Sequence, residues 1–452
     1  MDVIAAIATG VQPSAIGILR LSGDGCGEIA GKVCQLKSGM PLWEAPDRKL
    51  CIANLKDRQG RLIDEILAVY TRGPATYTGE DTVELHCHGS PAVLASGLDA
   101  LFFAGARQAG PGEFTKRAFL NGRMDLTQAE AVIDLIDAES ADEAANAAGQ
   151  VGGALTRKLE PMYSAMTDIC SHFHAVLDYP DEDIPAFQIA EFCGTLGGIS
   201  EKLRVLHKSF EKGQFLKKGV RAVILGRPNA GKSSLLNALA GFERVIVTEI
   251  PGTTRDTVEE TVRMGSVLLR LQDTAGIRST SDRIEAMGVE RSIAAAKEAE
   301  LALFVCDGAE ELTEEDRQAM QAAQSAACAI GLINKSDLCT RVTPEDLPFE
   351  TVLQISAKDG SGLQALTEAV EEQFGTKGNV DGSILTNARQ AGAVERAAIA
   401  TEQALASIRR GMTPDAVLLD VEAAMAALGE ITGRTVREDI TNRIFERFCV
   451  GK

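Results

Sequence analysis

The chain has 452 residues, of which 45% are hydrophobic and 24% are charged, and its formal net charge is −18. This balance is typical of a globular protein with roughly two to four domains. No apolar run approaches the ~20 residues of a bilayer-spanning helix, and the N-terminus lacks a signal-peptide pattern, so we expect a cytoplasmic protein without membrane partners. The acidic charge excludes a broadly basic nucleic-acid surface. Contact with RNA would need a local patch or a basic partner.

The ten cysteines are scattered singly, without a CxxC pair. In a chain of this length without a secretion signal, we interpret them as reduced thiols, mostly buried. Two histidine pairs, His86 with His88 and His172 with His174, would each share one face of a strand. Neither pair has further ligands at metal-site spacing, so we expect no metal at either place.

The first 120 residues combine short β-like runs with turn clusters. Residues 16–19 and 66–70 have strand patterns, and a glycine- and proline-bearing turn follows at 71–74. This mixture predicts an α+β domain over residues 1–120.

A helical pattern begins at Asp125. Asp125 and Gln128 have the spacing of a capping box, and apolar residues at 129, 132, 133 and 136 then repeat on one helical face. The pattern continues through residue 177, is interrupted by an acidic, proline-bearing turn at 178–183, and resumes to about residue 212. We therefore predict a helical region over 121–217.

The pattern of predicted secondary structure changes twice in the remaining chain. Residues 218–376 alternate buried-strand and helical patterns, which is typical of an α/β domain, and residues 377–452 are again helical. Because compact domains often have neighbouring termini, the order helix, α/β, helix predicts a domain inserted into a discontinuous α-helical bundle.

The inserted domain opens with a phosphate-binding motif. The strand pattern at 220–225 leads directly into GRPNAGKS at 226–233, after which apolar residues mark a helix that we expect to end at Gly241. Glycines let backbone N–H groups approach phosphates, and the helix N-terminus adds positive potential. We predict that Lys232 reaches the β- and γ-phosphates and that the Ser233 hydroxyl binds Mg²⁺.

Two later motifs indicate GTP rather than ATP. After a strand pattern at 268–272 comes Asp273-Thr274-Ala275-Gly276, where a carboxylate can hold Mg²⁺ through water and a backbone amide can sense the γ-phosphate. The motif NKSD at 334–337 follows another buried strand, and its Asp337 can accept from guanine N1–H and N2–H₂, whereas adenine would leave that carboxylate without donors. Ser356, Ala357 and Lys358 match a loop that braces guanine O6. We therefore predict a Ras-like P-loop GTPase domain over 218–376.

Five segments of the chain carry a resemblance to one protein family. They are GRPNAGKSS at 226–234, PGTTRD at 251–256, DTAGIR at 273–278, PGEFTKRAFLNG at 111–122 and FCVGK at 448–452. Together they resemble the tRNA modification GTPase MnmE (TrmE) family, over essentially the whole chain. The central motifs alone also fit ribosome-assembly GTPases, and the two outer segments single out MnmE.

The resemblance implies how hydrolysis proceeds where Ile277 replaces the glutamine of many GTPases. It implies a potassium-activated reaction in which Asn229 offers its side-chain oxygen to K⁺, with backbone oxygens of Thr248, Ile250 and Thr253 completing the cage. Thr254 joins Ser233 at Mg²⁺, and Glu285 positions the attacking water. Without the family, Asn229 reads as a turn residue and Glu285 as a solvated helix charge.

The GTP-binding set that motifs and resemblance together predict comprises Asn229, Ala230, Gly231, Lys232, Ser233, Ser234, Thr248, Glu249, Ile250, Pro251, Gly252, Thr253, Thr254, Asp273, Thr274, Ala275, Gly276, Asn334, Lys335, Asp337, Ser356, Ala357 and Lys358. Lys232 and Glu285 are the expected catalytic groups of GTP hydrolysis.

The resemblance also implies that residues 1–120 bind a tetrahydrofolate and form a homodimer. Arg20, Glu84, Arg123 and Lys452 match positions associated with a 5-formyl-tetrahydrofolate ligand. A carboxylate suits the guanidine-like edge of the pterin, and cations suit the glutamate tail. Taken alone, all four are surface charges. Cys449 is either a thiolate that takes part in the modification or a small residue packed beside the folate pocket.

The family's reaction is modification at C5 of the wobble uridine of certain tRNAs, with the FAD-dependent partner MnmG (GidA) and a folate one-carbon unit. Two alternatives stay open. One is a GTP-switched ribosome or RNA assembly factor without modification chemistry, which failure to bind a formyl-folate would favour. The other is a folate-dependent methyltransferase with a vestigial GTPase, which K⁺-dependent GTP turnover would exclude.

Overall fold

The computed structural model describes residues 2–178, 189–242, 260–272, 294–376, 380–435, 444–446 and 448–451. The chain divides into two compact units. The first comprises Met1–Ile136, Gln150–Gly197 and Ile399–Lys452, and the second comprises Asp137–Gly149 and Gly198–Ala398. The predicted domain limits at 120, 217 and 376 stay predictions.

The first unit begins with a seven-stranded mixed sheet. Its strands are β1 (Ile4–Ile7), β2 (Ser14–Ser22), β3 (Cys34–Leu36), β4 (Cys51–Lys56), β5 (Leu62–Thr71), β6 (Thr82–Gly89) and β7 (Arg107–Gln108). Their spatial order is β3-β4-β5-β6-β2-β1-β7, with antiparallel neighbours except for the parallel pair of β1 and β7. Both predicted runs, 16–19 and 66–70, lie in these strands.

Helices cover one face of this sheet. They are α1 (Cys26–Gly31) and α2 (Pro91–Ala104). A Cβ added at Gly97 of α2 would lie 2.6 Å from a methyl carbon of Leu19 on β2, so this helix depends on a glycine for its close approach. On β6 the alternate residues Val83, Leu85 and Cys87 are buried in the same core. The intervening residues of β6 therefore belong to the other face.

Seven helices of the described residues lie outside the two sheet regions and range from 8 to 30 residues in length. They are α3 (Glu113–Leu120), α4 (Leu126–Asp137), α5 (Ala141–Val151), α6 (Ala154–Asp178), α7 (Ile189–Lys218), α11 (Ala388–Arg409) and α12 (Pro414–Thr432). The capping box is confirmed: Gln128 N donates to Asp125 Oδ1 and Asp125 N donates to Gln128 Oε1, both at 3.0 Å. Helices α6 and α12 pack together.

A six-stranded sheet forms the centre of the second unit. Its strands are β8 (Val220–Leu225), β9 (Glu260–Met264), β10 (Val267–Leu271), β11 (Leu301–Asp307), β12 (Cys328–Asn334) and β13 (Thr351–Gln354), in the order β13-β12-β11-β8-β10-β9. Only β9 runs antiparallel to its neighbour among these described strands. Helices α8 (Lys232–Phe242), α9 (Glu314–Ala323) and α10 (Leu363–Phe374) accompany the sheet, and its two faces have separate apolar cores. A buried, mostly parallel sheet of this kind is the predicted α/β pattern.

Three sequence expectations need correction. Gly241 does not end its helix, because α8 continues to Phe242; a single glycine costs an exposed helix only about 1 kcal/mol. Helix α7 extends to Lys218, beyond the expected end near 212. His172 and His174 lie in α6 rather than in a strand, so strand alternation does not relate them. No helix in the described ranges is long and apolar enough to cross a membrane.

Candidate functional site

The carboxyl ends of four parallel strands lie along one edge of the second sheet. The phosphate loop follows β8 at this edge, Asn334 ends β12, and Ser356 follows β13 by two residues. Asp307, the last residue of β11, is the direct register partner of Asn334. Open α/β sheets bind ligands at such an edge because loops and helix N-termini converge there.

The phosphate loop depends on two glycines for its path. Gly226 has φ +153°, and a Cβ at this position would lie 2.1 Å from the carbonyl oxygen of Val305. Gly231 has φ +99°, and its Cβ would lie 2.0 Å from Asn334 Nδ2. Between them, Asn229 adopts φ +64°, which asparagine tolerates better than most residues. Any other residue at 226 would clash with the backbone of β11, and any other residue at 231 would displace the Asn334 side chain.

Lys232 begins α8 and turns back over the loop. Its Nζ donates to the carbonyl oxygens of Gly226 at 2.5 Å and Arg227 at 2.8 Å. Burial lowers the pKa of Lys232 below its ordinary value, although the charge of Asp316 opposes this shift. The ammonium is therefore already positioned above the loop where negatively charged phosphate oxygens would pair with it.

Asn334 ties the phosphate loop to the base-recognition loop. Its Nδ2 donates to the Ala230 carbonyl at 2.9 Å, and its Oδ1 accepts from the Ala357 N–H at 3.0 Å. The side chain is buried, at 2% exposure. The nitrogen and the oxygen of the side-chain amide each bond to a backbone group. Asn334 therefore fixes the distance between two loops that are predicted to bind opposite ends of one nucleotide.

The remaining base-recognition residues lie beside Asn334. Ser356 Oγ donates to Asp337 Oδ1 at 3.0 Å, and Lys358 Nζ lies 3.8 Å from Asp337 Oδ2. The Ser336 N–H donates to the Ile355 carbonyl, which joins the two loops through their backbones. The Asp337 carboxylate is thus oriented by a hydroxyl and retains acceptor capacity for a guanine edge.

Asp307 is a buried carboxylate at this edge that the sequence analysis missed. Its Oδ2 accepts from Lys335 Nζ at 2.5 Å, and its Oδ1 accepts from the Ala309 N–H at 3.0 Å. Burial raises the pKa of Asp307, but the hydrogen bonds from Lys335 and Ala309 outweigh it and the pKa is lowered. The ionised carboxylate therefore fixes Lys335, which has φ +63°. The signal was available, since Asp307 ends a buried seven-residue strand at the same edge.

Arg227 anchors the phosphate loop from its other side. Its guanidinium pairs with Glu310, and its Nε lies 3.4 Å from Asp316 Oδ2. Asp316 is buried and forms a capping box with Thr313 at the start of α9. The position of Arg227 is thus set by α9, which lies more than 80 residues later in the chain.

Part of the predicted GTP site lies outside the described residues. This part comprises Thr248, Glu249, Ile250, Pro251, Gly252, Thr253, Thr254, Asp273, Thr274, Ala275, Gly276 and Glu285. Ser233 and Ser234 are described, and both lie exposed in the first turn of α8.

The predicted folate residues include a pair that strand register brings together. Arg20 on β2 lies opposite Glu84 on β6, and its Nε and Nη2 each lie 2.8 Å from Glu84 Oε1. Both side chains are partly exposed, at 21% and 29%. Arg123 Nε donates to the Thr76 carbonyl at 2.9 Å. Lys452 lies outside the described residues.

The last described residues pack against the start of the chain. Pro111 and Val450 form an antiparallel bridge, and Gly112 N donates to the Cys449 carbonyl at 3.3 Å. Gly451 has φ +105°, and a Cβ there would lie 2.2 Å from the Ile7 carbonyl oxygen. Cys449 is exposed, and both of its predicted roles stay predictions.

Two family profiles match the chain, one over its N-terminal part and one over the rest. The profile described as "MnmE helical domain" matches residues 126–449, and "GTP-binding protein TrmE N-terminus" matches residues 3–123.

Proteins called "tRNA modification GTPase MnmE" are similar to the chain over their full length. That of Lachnoclostridium phytofermentans is 42% identical over 459 residues, and that of Heliobacterium modesticaldum is 40% identical over 467 residues; each alignment covers 100% of this chain and 99% of the relative. That of Aquifex aeolicus is 40% identical over 450 residues and covers 99% of both chains.

Proposed function

Because the chain belongs to the MnmE family of tRNA modification GTPases, we propose that it is a potassium-activated GTP hydrolase that modifies C5 of the wobble uridine of certain tRNAs. It adds a carboxymethylaminomethyl group together with the FAD-dependent partner MnmG (GidA), and a tetrahydrofolate supplies the one-carbon unit. The observation that carries the GTPase part is the Asn334 side chain, which joins the phosphate loop to the guanine-recognition loop at one sheet edge.

Hydrolysis is attack of water on the γ-phosphorus with departure of GDP. Lys232 stabilises the negative charge that develops on the β- and γ-phosphate oxygens, and Asp337 selects guanine. Glu285 orients the water. These roles place the phosphates at the N-terminus of α8, where backbone N–H groups of the first helical turn lack partners within the helix.

The donor types around the loop fit two cations. Ser233 and Thr254 would hold Mg²⁺ with hydroxyl oxygens, and Asn229, Thr248, Ile250 and Thr253 would hold K⁺ with amide and carbonyl oxygens. Asn229 supports this assignment, since its exposed side chain leaves the loop from a left-handed backbone conformation. When bound, the cations neutralise the charge on the transferring phosphoryl group, as an arginine does in other GTPases.

The chain's charge favours a division of labour over tRNA. With a net charge of −18, its surface repels phosphates on average. A separate RNA-handling partner, which we take to be MnmG, would therefore provide much of the tRNA contact. We place both proteins in the cytoplasm and expect the chain to act as a homodimer, with further dimerisation of its inserted GTPase domains in the hydrolytic state.

The folate part rests on the ion pair of the first sheet. The pair of Arg20 with Glu84, together with Arg123, provides one carboxylate and two cations for a 5-formyl-tetrahydrofolate, with Lys452 completing the set. Cys449 lies in the segment that pairs with Pro111 and Gly112, and its thiol is exposed. As a thiolate it would add to a uracil ring carbon, with the electron pair of the ring double bond moving to the neighbouring carbon.

The test is GTP turnover of the full-length chain in KCl and in NaCl at equal ionic strength. We expect turnover to be at least about tenfold faster with K⁺. Asn229→Ala should lose this acceleration while GTP affinity stays within about twofold. Asn237→Ala, on the exposed side of α8, is the matched control and should keep it. Continued K⁺ acceleration in Asn229→Ala would refute the cation assignment.

The same samples test dimerisation and the alternatives. GDP with aluminium fluoride, which mimics the transition state, should raise the molar mass measured by light scattering in K⁺ but not in Na⁺. Equal turnover in both salts would favour a vestigial GTPase. Full GTPase activity without affinity for 5-formyl-tetrahydrofolate would instead favour an assembly factor without modification chemistry.

A further inference from the structure

Residues 72–81, which connect β5 to β6, form a loop with a fixed backbone. Asn121 Nδ2 donates to the Thr78 carbonyl at 2.7 Å, and Arg123 Nε donates to the Thr76 carbonyl at 2.9 Å. Thr76 Oγ1 donates to the Glu80 carbonyl at 2.5 Å. Thr76 and Thr78 are 5% and 0% exposed, so their side chains point inwards. This alternation turns the residue between them outwards.

That residue is Tyr77, whose ring is held at two places. Its hydroxyl lies 2.9 Å from Oγ1 of the fully buried Thr115, and the Arg20 guanidinium carbon lies 5.9 Å from the ring centroid. The residue as a whole is nevertheless 39% exposed. A rigid aromatic ring with a free surface is suited to stacking because little side-chain entropy remains to be lost on binding.

The same guanidinium contacts the carboxylate of the predicted site. Arg20 bonds Glu84 Oε1 at 2.8 Å while it lies over the Tyr77 ring. Because one guanidinium contacts both groups, the Glu84 carboxylate and the Tyr77 ring are neighbours. A planar ligand with an N–H edge that donates to Glu84 would then meet the exposed part of Tyr77. An aliphatic side chain at position 77 would offer no aromatic face on which a ligand could stack, and it would not orient the ligand towards Glu84.

We propose that Tyr77 is the wall against which the pterin ring of the folate stacks, and that it orients the ring towards Glu84. This inference rests on the proposed folate site and adds to it a residue that recognises the ring rather than the charged tail. Stacking of a heteroaromatic base on an aromatic side chain changes affinity by roughly 10- to 100-fold. Tyr77 is thus expected to determine affinity for the ring as strongly as the ion pair does.

The experiment titrates the full-length chain with 5-formyl-tetrahydrofolate and with its two halves, 6-methyltetrahydropterin and p-aminobenzoyl-glutamate. Tyr77→Leu should weaken binding of the folate and the pterin by about tenfold or more and leave p-aminobenzoyl-glutamate unchanged. Tyr77→Phe keeps the ring and should stay within about threefold. Phe103→Leu, a 72% exposed aromatic on α2, is the matched control and should change nothing. Unchanged GTP affinity and melting temperature verify folding, and Tyr77→Met replaces Tyr77→Leu if the latter unfolds.

The outcomes separate this inference from the proposed folate site. If the wild-type chain binds no folate, both are overturned. If the wild type binds and Tyr77→Leu binds equally well, only the role of Tyr77 is overturned. A loss of affinity in Tyr77→Phe as large as in Tyr77→Leu would assign the effect to the hydroxyl bond with Thr115 and also overturn stacking. Stacking would also be overturned if Tyr77→Leu lost folate affinity and its molar mass fell at the same time. That result would mean that a second copy of the chain covers the Tyr77 ring.

Discussion

The carboxyl edge of the second sheet and the open face of the first sheet assemble their candidate sites in different ways. At the edge, the predicted groups belong to contiguous motifs at or just after the end of a strand, such as 226–233 after β8 and 334–337 at the end of β12. On the face, Arg20 and Glu84 are 64 residues apart and meet because β2 pairs with β6 in one register. A site of the first kind is visible in the sequence, whereas a site of the second kind depends on folding. Substitutions on the face should therefore act through strand pairing, whereas substitutions at the edge should act through the motif residues themselves and through the contacts of Asn334 between two loops.

The largest effect is expected at Asp337. Asp337→Asn replaces an acceptor for guanine N1–H and N2–H₂ with a side chain that presents a donor, so GTP affinity should fall by about 10³-fold and xanthosine triphosphate should bind better than GTP. Titration with fluorescent analogues of both nucleotides measures this exchange. The exposed Glu345→Gln, from the same unit, is the control and should keep wild-type preference. Unchanged GTP affinity in Asp337→Asn would remove the base-reading role.

Asn334→Ala tests whether one side chain connects the two halves of the nucleotide site. It leaves the Ala230 carbonyl and the Ala357 N–H without partners, and we expect GTP affinity to fall by about 10²-fold. Asn146→Ala is the matched control: Asn146 is also 2% exposed, and its amide bonds the N–H and C=O of Ile384 in the same unit. Both variants should lose similar stability in thermal melts, but only Asn334→Ala should lose GTP. Equal losses of affinity would reduce Asn334 to a packing residue.

The sequence predicts contiguous strands and motifs well, but it does not predict contacts between separate segments. Strand β8 was expected at 220–225 and spans Val220–Leu225, and the expected strand 329–333 lies within Cys328–Asn334, because buried parallel strands leave uninterrupted apolar runs. The predicted helix end at Gly241 was wrong, because no close contact requires a glycine there and α8 continues through it to Phe242. Asp307 could have been found from its place at the end of a buried strand, but its partner Lys335 could not be predicted, because the pair joins separate segments. The ring of Tyr77 could not be predicted either, because Thr115 and Arg20 from other segments hold it.

Glu113 probes the long-range charges of the first unit. Its carboxylate accepts from Arg107 Nη1 at 2.8 Å, Arg117 Nη2 at 3.1 Å and the Gly110 N–H at 2.8 Å. Burial alone would raise its pKa, but these bonds outweigh burial and lower the pKa of Glu113 to about 2. A lowered pKa stabilises the fold at pH values above the ordinary value of 4.5, and the stabilisation is lost as pH falls towards 2.

Glu113→Gln should therefore destabilise the first sheet by up to about 3 kcal/mol at pH 7 and by much less at pH 3. Amide hydrogen exchange in β1 and β2 reports this unit separately from the rest of the chain. The exposed Glu28→Gln of α1 should show no such pH-dependent difference. A loss in Glu113→Gln that is equal at both pH values would mean that shape, not charge, stabilises the cluster.

Glu84→Gln is expected to have the smallest effect and isolates the charge of the assembled pair. Glutamine keeps the size of the side chain and can still accept from Arg20, but it loses the negative charge that attracts the guanidine-like edge of a pterin. Affinity for 5-formyl-tetrahydrofolate should fall by about tenfold while GTP affinity stays unchanged, because the two sites belong to different units. Glu65→Gln on the neighbouring strand β5, whose side chain pairs with Lys37, is the control and should leave folate binding intact. If Glu84→Gln binds folate normally, the register of β2 and β6 creates an ion pair for stability alone, and the first sheet carries no ligand at that face.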